Sequence, residues 1–240
     1  MIDLTYEALD YRRDRTFVRA GYRVRGSTER GFEVVRDGAP LLSLGPGFRP
    51  LRVMRCGVCS TDLARHLLPF DLPQVIGHEV VAVDEGGRRF VVEINASHLA
   101  RGVPHDCAIC RAGLATHCPD RVTLGIDRLP GGFGPWILAP VGACVPVPDD
   151  IGDEDAVLVE PLAAALQAVT TIAPRPGERI AVLGPRRLGM LVVASLASLR
   201  GGFTIAAIVR DPDLAPLARS CGADEVHVVG DDDAALERQF

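Results

Sequence analysis

The stretch Cys56-Gly57-Val58-Cys59-Ser60-Thr61-Asp62, followed by Gly77-His78-Glu79, decides how this chain is interpreted. It places a thiol and an imidazole in two glycine-containing segments, with a hydroxyl and a carboxylate directly beside the thiol. Zn²⁺ is commonly bound by Cys sulfur and His nitrogen, and a catalytic zinc site keeps one coordination position open. The pattern therefore predicts a catalytic zinc site held by Cys59 and His78, with Glu160 as the third ligand.

A structural zinc site is the alternative interpretation. Cys56 and Cys59 form one C-x-x-C pair, and Cys107 and Cys110 form another. Paired knuckles of this kind usually lie about 15–20 residues apart, and the two pairs here are much further apart. The residues around Cys59 would also have no role in a zinc ribbon, so the catalytic interpretation is favoured.

The same stretches resemble the zinc-dependent alcohol dehydrogenases of the medium-chain dehydrogenase/reductase superfamily. That family has the pattern G-x-C-x-T-D, then G-H-E, then E-P-L-A, and the resemblance extends from about Gly31 to the C-terminus. It implies that Thr61 passes the substrate proton outward and that Asp62 and Glu79 orient the metal ligands. Many relatives carry a relay histidine where this chain has Ala64.

Residues 1–30 are expected to be an N-terminal extension outside the resemblance. Residues 31–150 contain short alternating segments separated by Gly and Pro turns, which predict a barrel-like β domain. The resemblance makes this domain a GroES-like catalytic domain. Residues 151–240 begin with an Ala- and Leu-rich helix and continue as alternating strands and helices, which predict a parallel sheet. The fold class is therefore α/β plus β, with a partial Rossmann domain at the end.

A cysteine lobe is expected near residues 105–118. In the resembling family a structural zinc is bound by four Cys spaced C-x2-C-x2-C-x7-C, and Cys107, Cys110 and Cys118 match the last three. Pro104 stands at the first position and cannot bind a metal. Because Zn²⁺ accepts nitrogen and oxygen ligands, the expected fourth ligand is His105 or Asp106.

A nucleotide site is expected where the first strand of the second domain ends, at Gly184-Pro185-Arg186-Arg187-Leu188-Gly189. The dinucleotide fingerprint is G-x-G-x-x-G between a strand and a helix. Gly184, Leu188 and Gly189 fit the family pattern, but Arg186 occupies the glycine position that lets the backbone approach the pyrophosphate. This arginine would either clash with the pyrophosphate or pair with it.

The choice of nucleotide depends on the end of the second strand, Val209-Arg210-Asp211. An acidic residue there binds the ribose 2′-hydroxyl of NAD, and a nearby Arg accommodates the 2′-phosphate of NADP. The sequence carries both, with a slight preference for NADP.

Composition limits the partners of the chain. The formal net charge is −5 and every one of the 26 basic residues is Arg, so nothing indicates a nucleic-acid or anionic-membrane surface. The seven Cys are an odd number, which is typical of thiol and metal use rather than of a disulfide framework. The N-terminus lacks an apolar signal core, so a cytoplasmic protein is expected.

The leading hypothesis is a zinc-dependent oxidoreductase that transfers hydride between an alcohol, of polyol or sugar-alcohol type, and NAD or NADP. Only the first β-α-β-α-β half of a dinucleotide fold precedes Phe240, so we expect a truncated protein that binds zinc but turns over poorly, and a homo-oligomer in the full-length form. The alternative is a non-catalytic zinc-binding or nucleotide-sensing protein on the same scaffold.

Overall fold

The computed structural model describes residues 1–230. The chain divides into two compact units, Met1–Glu160 and Pro161–Phe240. No helix within the described residues is long and apolar enough to span a membrane.

The first unit opens with a four-stranded antiparallel sheet in the order β1-β2-β3-β4. Its strands are β1 (Ile2–Tyr11), β2 (Phe17–Ser27), β3 (Gly31–Arg36) and β4 (Ala39–Leu44). Asp37 and Gly38 both have positive φ, as a tight hairpin turn between β3 and β4 requires. Residues 1–30 therefore form a long hairpin within the same sheet as β3.

The remaining elements of the first unit are mostly short strands, as the turn-rich sequence predicts. In chain order they are β5 (Phe48–Gly57), α1 (Ser60–Leu63), β6 (Glu79–Val83), β7 (Arg89–Val92), β8 (Asn95–Ala96), α2 (His98–Arg101), α3 (Ala108–Arg111), β9 (Val122–Leu124), β10 (Arg128–Leu129), β11 (Trp136–Pro140), β12 (Cys144–Pro146) and α4 (Asp153–Ala156). Five of these strands form a sheet in the order β11-β5-β6-β7-β12, and a small sheet has the order β10-β9-β8.

One apolar core joins the sheets of the first unit. Tyr22 and Phe32 from the first sheet pack in the same cluster as Phe48 and Leu51 from the five-stranded sheet. All four side chains are almost completely buried. This continuous core gives the site described below a rigid base.

The second unit is a three-stranded parallel sheet with helices. Helix α5 (Val159–Ile172) crosses the division between the units and is followed by β13 (Arg179–Leu183), α6 (Arg187–Ser198), β14 (Thr204–Val209), α7 (Ala215–Ser220) and β15 (Glu225–Val228). The sheet order is β13-β14-β15, with Ile205 and Ala207 completely buried at its centre. The predicted strand and helix alternation is confirmed to within a few residues and fits the expected partial Rossmann unit.

Candidate metal and nucleotide sites

The end of β5 and the start of β6 bring the two expected metal-binding stretches together. Gly57 at the end of β5 pairs with Glu79 at the start of β6. Cys59 comes shortly after Gly57 and His78 comes directly before Glu79, so this antiparallel pair brings the two stretches together. Gly77 has a φ of 94°, and a Cβ there would lie 2.6 Å from a ring carbon of Phe133, so only glycine fits before His78.

Asp62 ties the two stretches to each other. One carboxylate oxygen accepts a hydrogen bond from the backbone N–H of Cys59 at 2.8 Å, and the other accepts one from the backbone N–H of Gly77 at 3.2 Å. The Asp62 carboxylate is buried, and its Oδ1 lies 3.5 Å from Nδ1 of His78. The expected orienting role of Asp62 thus has a definite set of contacts.

Three potential ligands meet at this point. One ligand atom each from Cys59, His78 and Glu79 lies within 4.8 Å of the others. Glu79 was expected to orient the ligands, yet its carboxylate lies within ligand distance itself. Thr61 is half-buried in α1, one residue before Asp62.

Glu160 lies outside this three-residue group but shares its electrostatic environment. Burial raises the pKa of the Glu160 carboxyl above its usual range, and the charges of Glu79, Glu93 and Asp62 raise it further while His78 opposes the shift. These interactions place Glu160 close to the same cluster of charges within the first unit.

His78 carries the opposite perturbation. Burial alone would lower the pKa of His78, but the carboxylate of Asp62 and the thiol of Cys59 outweigh it and raise that pKa to about 9. An imidazole held between a carboxylate and a thiol is the arrangement expected of a metal-binding histidine with an orienting partner.

The cysteine lobe forms a second group of potential ligands. His98, Cys107, Cys110 and Cys118 each offer a ligand atom within 4.8 Å of the others. Nδ1 of His98 lies 3.3 Å from Sγ of Cys118 and 3.8 Å from Sγ of Cys110. All seven cysteines are free thiols, so no disulfide competes for these sulfurs.

His105 and Asp106, the fourth ligands expected from the sequence, are not in this group. The His105 ring instead stacks against the His98 ring, with centroids 5.3 Å apart. The sequence did not predict His98, because this residue lies before the first position of the family's four-cysteine spacing. The signal that could have found it is a histidine beginning a helix that follows a strand and ends at Gly102, whose φ of 65° turns the chain.

The expected nucleotide-binding residues gather in the second unit at the ends of β13 and β14. A cavity of about 250 Å³ is lined by Gly184, Pro185, Arg186, Val209, Arg210, Asp211 and Leu214. Leu188 and Gly189 lie in α6 and outside that lining. The Cβ position of Gly189 lies 3.1 Å from Cβ of Pro185, so a larger residue would crowd the turn.

Asp211 has a role in its own turn. Its Oδ1 accepts a hydrogen bond from the backbone N–H of Asp213 at 3.0 Å. A larger cavity, about 460 Å³, is lined by Arg49, Asp84 and six other residues of the first unit, none of them an expected site residue.

Comparison with known proteins identifies the scaffold. Residues 45–149 match the alcohol dehydrogenase GroES-like domain. This part of the chain is a GroES-like domain. The domain match covers every residue of both ligand groups, while Glu160 lies outside the match, and it confirms the resemblance to zinc-dependent medium-chain dehydrogenases.

Relatives of this alcohol dehydrogenase-like chain are dehydrogenases. It is 29% identical over 203 residues to an L-threonine 3-dehydrogenase of Rhizobium johnstonii, and 27% identical over 203 residues to an L-galactonate-5-dehydrogenase of Escherichia coli. In both cases the match covers 79% of this chain and 57% of the relative. The chain thus spans less than two thirds of the length of these relatives.

Solved structures agree with this placement. A protein of Sinorhizobium meliloti described as a zinc-binding dehydrogenase, solved with NADP, matches with a TM-score of 0.71 and 25% identity over 96% of this chain and 64% of that one. An alcohol dehydrogenase of Aeropyrum pernix matches with a TM-score of 0.66 and 27% identity, over 79% of this chain and 59% of its own.

Proposed function

We propose that this chain is the metal-binding and part of the nucleotide-binding portion of a zinc-dependent oxidoreductase, which transfers hydride between an alcohol and NAD or NADP. The observation that carries the proposal is the meeting of Cys59, His78 and Glu79 within 4.8 Å around the buried carboxylate of Asp62. Sulfur, imidazole nitrogen and carboxylate oxygen form a donor set that suits catalytic Zn²⁺.

The carboxylate ligand is Glu79 or Glu160. Glu79 lies within ligand distance, and Glu160 lies in the same charged cluster and is the residue that the sequence favours. Glu79→Gln and Glu160→Gln separate the two, because only the variant that removes the ligand should lower zinc affinity strongly.

The residues around the metal have distinct tasks. A bound Zn²⁺ supplies Lewis acidity, which favours the alkoxide form of an alcohol. Asp62 holds the backbones of Cys59 and Gly77, so the two ligand-bearing stretches stay in register. Thr61 carries a hydroxyl in the same short helix, and it would accept the alcohol proton while passing its own proton toward solvent. A nicotinamide bound in the second unit would supply the hydride acceptor.

The substrate class we infer is a small polyhydroxylated molecule of the polyol or sugar-alcohol type. Support comes from the relatives, whose named substrates, threonine and galactonate, are both small polar molecules with a hydroxyl on an interior carbon. A panel of such substrates, each assayed with NAD and NADP, tests this inference.

The nucleotide we infer is NADP. Arg210 and Asp211 line the same cavity, but one oxygen of Asp211 is already engaged by its own turn, which leaves Arg210 as the better placed partner for a 2′-phosphate. Arg210→Ala should therefore weaken NADP binding and leave NAD binding nearly unchanged, as measured by calorimetry.

The cysteine lobe holds a second, structural zinc in this proposal, with His98 completing Cys107, Cys110 and Cys118. The carboxylate of Asp120 lies 3.7 Å from Nε2 of His98, on the ring nitrogen opposite to the one that faces the sulfurs. A partner of this kind fixes the tautomer that presents Nδ1 to a metal.

The central experiment is zinc analysis of the purified chain and of Cys59→Ser. The wild-type chain should contain about two zinc ions and the variant about one, since closed structural and open catalytic sites bind independently. Equal zinc content in the two proteins would overturn the assignment of Cys59.

A zinc-binding protein without turnover is the second candidate function, and Arg186 in the nucleotide cavity favours it. A side chain at this glycine position opposes close approach of the pyrophosphate. Comparing the nucleotide affinity of Arg186→Gly with that of wild type distinguishes the two candidate functions. A large gain in affinity favours a chain that has lost cofactor binding. A loss of affinity means that Arg186 pairs with the pyrophosphate.

A further inference from the structure

The tip of the N-terminal hairpin is attached to the segment that follows Asp62. The guanidinium of Arg13 donates one hydrogen bond to the carbonyl oxygen of His66 and another to that of Phe70, both at 3.1 Å. Tyr11 exchanges two backbone hydrogen bonds with Gln74, and its hydroxyl lies 3.3 Å from Nδ1 of His66. The hairpin lies outside residues 45–149, the part that matches the dehydrogenase domain.

The segment that the hairpin contacts, residues 64–74, connects the two stretches that supply metal ligands. It contains one short turn of 3₁₀ helix and otherwise no regular structure. From the inside it is held by Arg65, whose buried guanidinium donates to the carbonyl oxygen of Asp71, to Oε1 of Gln74 and to the carbonyl oxygen of Ile126. Arg13 and Tyr11 hold the same segment from the outside.

We propose that the N-terminal hairpin is a brace for the Cys59–His78 metal site, and that Arg13 is its positioning residue. Arg13 suits this task because its planar guanidinium joins two carbonyl oxygens four residues apart, which fixes the curvature of the segment between them. The inference rests on the proposed zinc site for its effect on metal binding, but the bracing contact itself does not depend on a metal.

The physical basis is preorganisation of the ligands. A metal that binds to ligands joined by an unrestrained segment must also order that segment, and this cost reduces affinity. Asp62 lies just before the segment and Gly77 lies just beyond its end, so freedom in residues 64–74 loosens the carboxylate that aligns both ligands. Bracing the segment should therefore raise zinc affinity without adding any ligand.

The first test is amide hydrogen exchange of the chelator-treated, metal-free protein. Arg13→Ala should increase exchange within residues 64–74 and leave the strands of the five-stranded sheet unchanged. Arg12→Ala is the matched control, because Arg12 is an exposed neighbour that contacts the turn through its backbone. Unchanged exchange in residues 64–74 of Arg13→Ala would overturn the brace, whatever the metal content.

The second test is the rate of zinc transfer to a chromophoric chelator, with Cys59→Ser identifying the phase that belongs to the lobe. Arg13→Ala should speed release from the Cys59 site by about fivefold to tenfold, a factor typical of losing one or two hydrogen bonds. Release from the lobe should not change. Arg13→Lys should release zinc from the Cys59 site nearly as fast as Arg13→Ala, because an ammonium cannot span both carbonyl oxygens in one plane.

The outcomes separate the two proposals. If no zinc phase depends on Cys59, the proposed metal site fails while the exchange result still judges the brace. If zinc is present and Arg13→Ala affects both phases equally, the hairpin serves general stability and the brace is wrong. Full recovery by Arg13→Lys would also count against it, since a simple positive charge would then suffice.

Discussion

The carboxylate of Asp62 and the backbone N–H of Gly77 form a hydrogen bond of 3.2 Å inside the first unit. It joins the helix that follows Cys59 to the glycine that precedes His78. Because the same carboxylate also accepts from the N–H of Cys59, one buried side chain sets the separation of the two expected metal ligands.

Replacing this carboxylate should loosen the metal site more than the fold. In Asp62→Asn one of the two backbone N–H groups faces an amide NH₂ in place of an oxygen. We expect zinc affinity at the Cys59 site to fall by about 10–100-fold, the usual effect of losing a partner that orients a metal ligand. Chelator competition measures this, with Glu85→Gln on an exposed turn as the control. Wild-type affinity in Asp62→Asn would show that the backbone alone sets the site.

The lobe offers a direct choice between two stacked histidines. His98→Ala should lose the lobe zinc, because its Nδ1 faces the sulfurs of Cys110 and Cys118. His105→Ala removes only the ring that stacks on it and should keep the metal. Zinc content and X-ray absorption should give three sulfurs near about 2.3 Å and one nitrogen near about 2.0–2.1 Å for the lobe in Cys59→Ser. If His105→Ala loses the lobe zinc and His98→Ala keeps it, the fourth ligand is His105, as expected from the sequence.

Arg65 should be among the most sensitive positions for stability. Its side chain is 0% exposed, and it donates to Gln74 and to main-chain carbonyl groups from two loops. Arg65→Met leaves those acceptors without donors, which should lower the free energy of unfolding by about 1–3 kcal/mol for each acceptor left buried and unpaired. Urea denaturation measures the change, and exposed Arg30→Met should stay within about 0.5 kcal/mol of wild type.

The hairpin also contains a buried acid with a pH signature. Burial raises the pKa of Asp10 above its ordinary 3.8, although Tyr22 and Arg36 donate to it and oppose the shift. A carboxyl group with a raised folded-state pKa stabilises the fold below its unfolded pKa and loses that contribution as pH rises through the folded value. Asp37, also nearby, adds to the increase.

Asp10→Asn should therefore gain stability relative to wild type as pH rises from about 4 toward neutrality, because the amide stays uncharged. Denaturation of both proteins at pH 4, close to the ordinary Asp pKa of about 3.9, and at pH 5.5 and 7 measures the difference. A constant difference across this range would mean that Asp10 titrates alike in the folded and unfolded chains.

The sequence predicted the parts of the fold whose signals are local. The run Arg179–Leu183 predicts a buried strand, and the structure has β13 at the same residues, although Val182 is the one buried residue of that strand. Asp37-Gly38 is a turn signal that depends only on its own backbone. Residues 1–30 were harder, because polar and apolar residues alternate there and nothing local indicates that the hairpin joins the sheet of β3.

The metal ligands, too, could be predicted only where the sequence signal is local. Cys59, His78 and the lobe cysteines were found because their types and spacing match a known pattern, and their roles as ligands stay predictions. His98 could not be found in that way, because it reaches the lobe through the turn at Gly102 and the docking of α2. The nearness of Glu79 to Cys59 also depends on the strand register Gly57–Glu79, which only the paired strands define.

The long outer strand of the hairpin has a consequence for self-association. Among residues 1–230, β1 is an edge strand with β2 as its one neighbour along most of its length, so its backbone could template another strand. Its exposed face carries Asp3 and Glu7, held by Arg23, Arg25 and Arg19 of β2, and charged groups on an edge discourage such pairing. Salt screens exposed charges, so concentrated salt should remove this protection and allow β1 strands of two chains to pair. The resulting oligomers should dissociate on dilution into low salt.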